Sequence, residues 1–152
     1  MSPGHAALAA LRPVPTLLIV EDDLDTRRLN CSMISRIFPD LVIYDAENGR
    51  RGLELYKKHS PDVIITDINM PEMDGIEMVQ EIRSLNSVPR IIVLTGYSDK
   101  AYLERFDAIG IRDYILKPVE FKKLVTAIEQ SIAEIRRERQ ASESPAVTGP
   151  SA

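Results

Sequence analysis

The chain has 152 residues, of which 44% are hydrophobic and 28% charged, so one domain with short tails accounts for its length. A chain this long buries roughly 68–70% of its unfolded surface, so it needs no disulfide, and its single cysteine, Cys31, has no partner in the chain. A net charge of −4 and the lack of any apolar stretch near the ~20 residues of a membrane span argue against nucleic acid and membrane as partners and predict a cytoplasmic protein.

Residues 1–15 hold three prolines and no periodic pattern, and they read as a flexible leader. The first apolar run, Leu17–Val20, is short and rich in aliphatic side chains, as a buried strand is, and it ends in Glu21-Asp22-Asp23. A helical pattern over Asp25–Phe38 follows, with Cys31, Ile34 and Phe38 on one face, so Cys31 is expected in the core. The runs Leu41–Tyr44, Val63–Ile65, Ile91–Leu94 and Tyr114–Leu116 repeat the strand pattern. Helical spacing recurs over Arg50–His59, Ile76–Leu85 and Lys100–Ile109, and from about Glu120 an apolar stripe runs through Leu124, Ile128, Ile132 and Ile135. Arg136-Arg137-Glu138-Arg139 reads as a solvated helix end. Residues 140–152 have almost no large apolar side chain and are expected to be a disordered tail.

The order βαβαβαβαβα predicts an α/β fold, a doubly wound five-stranded parallel sheet with helices on both faces and strand order 2-1-3-4-5. In that arrangement strands 1 and 3 are neighbours, and ligands bind beyond the carboxyl ends of the strands. Strand 3 ends in Asp67, followed by Ile68 and Asn69, so Glu21, Asp22 and Asp67 are expected to share a crevice. Crowded carboxylates favour a proton or a hard cation, and Mg²⁺ suits one or two carboxylates plus waters and phosphate oxygens. Asp23 and Asp25 fit solvated positions at a helix start. Strand 4 ends in Thr95-Gly96 and strand 5 in Lys117-Pro118, which adds a hydroxyl and an ammonium to the rim. Acids, hydroxyl and lysine around one crevice describe a phosphoryl site with an aspartate nucleophile.

The stretches LLIVEDD, VIITDINMPEMDG, IIVLTGYS and YILKP resemble the receiver domain of two-component response regulators, of the single-domain, chemotaxis-regulator-like type. The resemblance spans about Thr16 to Arg137 and places a flavodoxin-like (βα)5 receiver at residues 16–139. It implies that Asp67 accepts a phosphoryl group from a sensor histidine kinase or phosphotransfer protein. It further implies that Asp22, with Glu21 acting through water, binds Mg²⁺ together with Asp67 and the backbone carbonyl of Asn69. Thr95 would hydrogen-bond a phosphoryl oxygen and Lys117 would pair with it. Tyr114 resembles the aromatic that changes rotamer with Thr95, and Pro118 the proline that follows a cis peptide. Tyr97, where the family varies, is placed to shield the phosphoryl group. Met70, Met73 and Met78 read as packing residues. Such a protein catalyses only its own aspartyl phosphorylation and dephosphorylation, and is not a turnover enzyme. A magnesium phosphohydrolase would want a second acid where Asn69 stands, and a scaffold that is never phosphorylated would not need the acid, threonine and lysine set. With only a short tail after Arg139, output is expected through contact with an unidentified target protein. The chain is expected to be a monomer, or a weak homodimer through the Ile132–Ile135 end of the last helix.

Overall fold

A computed structural model describes residues 15–85, 88–96, 99–111 and 113–143, with the side chains of residues 142 and 143 outside the description. Most of the expected leader, Tyr97 and residues 144–152 lie outside it. The elements are β1 (Thr16–Val20), α1 (Leu24–Ile37), β2 (Val42–Ala46), α2 (Gly49–His59), β3 (Val63–Asp67), α3 (Gly75–Arg83), β4 (Arg90–Thr95), α4 (Lys100–Ala108), β5 (Asp113–Leu116) and α5 (Phe121–Glu143). The strands pair in parallel in the order β2-β1-β3-β4-β5, as the alternation of patterns predicts.

Alternation along the central strands sorts the core into two layers. Leu18 and Val20 of β1, Ile64 of β3, and Ile91 and Val93 of β4 meet Leu53 and Tyr56 of α2, Ile76, Val79 and Ile82 of α3, and Phe106 of α4. Leu17, Ile19, Val63, Ile65, Ile92 and Leu94 point the other way, against Ile34 of α1 and Leu124, Ile128, Ile132 and Ile135 of α5. Helices on both faces leave the three central strands without a wet face, which is why their sequences are continuously apolar.

Two expectations need correction. The run at Leu41–Tyr44 is not buried on both faces: β2 begins one residue later and is an edge strand, with Val42 half exposed. Ile132 and Ile135 dock on this chain's own sheet. The last helix does not end at Arg139 either. It runs to Glu143, because Gln140 and Ala141 are good helix formers and nothing breaks the turn. Its end is tied to the sheet: Arg139 reaches Asp62 at 2.8 Å, and Arg90 pairs with Glu134 at 3.2 Å and with Glu138. The basic cluster is thus partly structural. Cys31 is half buried against the second core layer, and burial pushes its thiol pKa up to about 11. Met78 is fully buried, and Met70 and Met73 pack partly buried against the same core layer, as expected.

Candidate functional site

Parallel pairing brings the ends of β1, β3, β4 and β5 to one side of the sheet. Val20 pairs with Thr66, so Glu21, one residue on, stands level with Asp67. Glu21 N–H donates to the Ala46 carbonyl at 3.0 Å, extending the strand by one residue and leaving the residue 5% exposed. Asp67 ends β3 at 6% exposure, whereas Asp22 is exposed. One carboxylate oxygen from each of Glu21, Asp22 and Asp67 lies within 4.8 Å of the others. Burial first, and the negative charge of Asp67 second, push the Glu21 carboxyl from 4.5 up to about 7. Three acids this close, two of them buried, favour a proton or a cation between them, and an all-oxygen donor set of this kind fits a hard divalent ion.

Lys117 joins these acids from the end of β5. Lys117 N–H donates to the Thr95 carbonyl at 2.7 Å, so the β4–β5 pairing continues beyond the strands. That carries the Lys117 ammonium into an ion pair with Asp67 Oδ1. The Lys117–Pro118 peptide is cis. Thr95 is buried, and its hydroxyl lies 3.3 Å from the Gly96 carbonyl oxygen. Asp67 Oδ1 also accepts from Ile68 N–H at 3.2 Å.

The segment after Asp67 is held by close backbone packing. Gly75 N–H donates to the Ile68 carbonyl at 2.8 Å, and a Cβ on Gly75 would lie 2.3 Å from the Asp67 carbonyl oxygen. Glycine is required there because the start of α3 presses directly on the backbone of the aspartate. Asp74 caps α3, accepting from Glu77 N–H at 2.9 Å, and Asp23 caps α1, accepting from Thr26 N–H at 2.8 Å.

Tyr114 pairs with Val93 in the sheet, two residues before Thr95. Its hydroxyl lies 2.7 Å from the Ile111 carbonyl oxygen and 2.9 Å from Asp107 Oδ1, and its ring meets Phe106 edge-on. In this conformation it belongs to the α4 packing. Sequence reasoning missed Asp99, which is buried at 7% exposure and accepts from Asn69 Nδ2 at 3.1 Å and from Gly96 N–H at 2.7 Å. An acid at a helix start reads as an ordinary cap, and nothing local signals that it turns inward.

Residues 17–129 match the family described as the response regulator receiver domain. The chain belongs to the response regulator receiver family. This receiver is 36% identical over 115 residues to the probable C4-dicarboxylate response regulator DctR of Priestia megaterium, covering 76% of this chain and 50% of that one. It is 39% identical over 93 residues to the chemotaxis protein CheY of Bacillus subtilis, covering 60% of this chain and 76% of that one. Among solved structures, the N-terminal domain of an uncharacterized protein from Wolinella succinogenes superposes with a TM-score of 0.74 at 34% identity. The match covers 84% of the receiver chain and 98% of that domain. The receiver thus spans half the length of the DctR relative. Among its described residues, no helix is long and apolar enough to cross a membrane.

Proposed function

We propose that this receiver is a phospho-switch whose Asp67 takes a phosphoryl group from the phosphohistidine of a sensor kinase or phosphotransfer protein, or from a small phosphodonor. The observation that carries this reading is the buried Asp67 carboxylate, paired with Lys117 within the cluster it forms with Glu21 and Asp22. An Asp67 oxygen attacks phosphorus and forms an acyl phosphate, while the phosphorus–nitrogen bond breaks and its electron pair stays on the imidazole, which takes up a proton. Glu21, Asp22, Asp67 and the Asn69 carbonyl are the groups that would hold Mg²⁺, which when bound neutralises phosphoryl oxygens. Lys117 is positioned to leave its ion pair for a phosphoryl oxygen, and the Thr95 hydroxyl to donate to another. Water attack on phosphorus resets the switch, so the protein acts on itself and does not turn over an external substrate. Asn69 supports this reading over a phosphohydrolase, because its amide cannot serve as the second acid, and its NH₂ group is committed to Asp99. We assign this activity to the cytoplasm, where kinase phosphodonors are made, and the output to contact with a target protein rather than to nucleic acid read by the receiver itself.

The deciding experiment incubates the protein with Mg²⁺ and acetyl phosphate and looks for an acid-stable, base-labile adduct that Asp67→Asn abolishes. Absence of the adduct refutes the switch, and steady multi-turnover release of phosphate from phosphomonoesters favours a hydrolase.

A further inference from the structure

The three acids of the crevice are not held alike. Glu21 and Asp67 are buried, the first continuing β1 through its N–H bond to Ala46 and the second ending β3. Asp22 is exposed and stands between β1 and α1, in neither element. Its carboxylate keeps its place near the other two only if the backbone on either side of it is fixed. On the far side Asp23 is fixed as the cap of α1, accepting from Thr26 N–H at 2.8 Å. On the near side the fixing group is Arg27 of α1, whose side chain is only 12% exposed and turns back over the loop that leads into its own helix. Its Nη1 donates to the Glu21 carbonyl oxygen at 2.7 Å, and its Nε donates to Asp45 Oδ2 at 3.0 Å. That carbonyl belongs to the peptide unit joining Glu21 to Asp22. Asp45 lies in β2, in register with Ile19 of β1, so the guanidinium is anchored on the sheet while it grips the loop.

We propose that Arg27 is a positioning residue for the acidic crevice, fixing the Glu21–Asp22 peptide so that the Asp22 carboxylate is held where it can share a cation with Glu21 and Asp67. This rests on the reading of those acids as the groups that hold Mg²⁺. Without the Arg27 bond, the loop carrying Asp22 would have to be ordered by the ion itself, and that ordering is subtracted from the affinity. The charge of Arg27 works the other way, since a cation beside the crevice repels a divalent ion. Geometry and charge therefore predict opposite signs when Arg27 is removed. Lysine keeps the charge but not the function, because a planar guanidinium can serve a carboxylate and a carbonyl at once in one orientation, whereas an ammonium is a point charge on a flexible stem.

The test titrates MgCl₂ into the isotopically labelled full chain and reads affinity from the amide shifts of the folded protein, with no phosphodonor present. Arg27→Ala should bind Mg²⁺ about tenfold more weakly than the wild type, and Arg27→Lys severalfold more weakly. In an Asp22→Ala background, where the carboxylate to be placed is gone, Arg27→Ala should cost no further affinity. A merely structural role predicts a lower urea midpoint with unchanged Mg²⁺ affinity, and charge alone predicts tighter binding by Arg27→Ala and no change in Arg27→Lys. Either of those results, or an equal loss with and without Asp22, overturns the positioning role while leaving the three acids as the metal site. Wild type that binds no Mg²⁺ overturns the metal reading, and the role of Arg27 with it. If Arg27→Ala does not fold, Arg27→Lys decides, since it alters the geometry and keeps the charge.

Discussion

Glu21→Gln isolates the electrostatic cost of the acidic crevice. Glu21 is 5% exposed, and burial together with the Asp67 charge moves its carboxyl from 4.5 to about 7. A carboxyl raised in the folded state holds a proton that the unfolded chain gives up. Its contribution to stability is therefore complete below about pH 4.5 and is lost as the pH rises through about 7. At ~1.4 kcal/mol per pH unit, the gap between 4.5 and about 7 amounts to about 3 kcal/mol. Urea unfolding followed by circular dichroism, with a chelator present, reads this term. Between pH 5 and pH 8 the wild type should lose about 2–3 kcal/mol that Glu21→Gln retains. Added Mg²⁺ should restore the wild type at pH 8, and should do less for the variant, which lacks one of the crowded charges. Parallel stability profiles for the two proteins would refute the reasoning, because the penalty would then lie elsewhere than in the Glu21 charge.

Two glycines separate crowding at the site from backbone strain away from it. Gly75→Ala places a Cβ 2.3 Å from the Asp67 carbonyl oxygen, and should cost about 1–3 kcal/mol in urea unfolding and slow formation of the phosphoryl adduct. Gly110→Ala meets no atom within 4 Å but sits at φ +85°, so it should cost about 1–2 kcal/mol by backbone strain and leave the adduct rate unchanged. Asp62→Ala removes the acceptor shared by Arg139 and the Thr16 N–H, and a loss of about 1–3 kcal/mol is expected, with faster amide exchange in the last turns of α5. The reverse order of the two glycine variants in the adduct assay would show that the approach of α3 to Asp67 is not limiting.

The doubly wound sheet was legible because each strand carries its own signal. Ile64 and Ile65 in β3, or Ile92 and Val93 in β4, are apolar on consecutive residues, as burial on both faces requires. Parallel strand order then placed Glu21, Asp22, Asp67, Thr95 and Lys117 together, because each directly follows or ends a strand. Those positions needed no knowledge of side-chain direction. Other features depended on it. β2 carries the same kind of apolar run, yet lies at an edge with Val42 exposed, since its one sheet neighbour is β1. Arg139 read as part of a solvated basic cluster, but its partner Asp62 lies 77 residues away in sequence. Tyr114 was linked to Thr95 only through the family resemblance, and its hydroxyl is held by the turn before β5 and by α4. Asp99 drew no notice in the sequence. By itself, then, the sequence determined the sheet, its order and the set of groups at the strand ends, because periodicity and position along a strand are local properties. Only the tertiary structure decided that the Glu21 carboxyl is pushed to about 7 and that Asp99 turns from its helix toward Asn69, because desolvation and side-chain direction are set by neighbours far away in the chain.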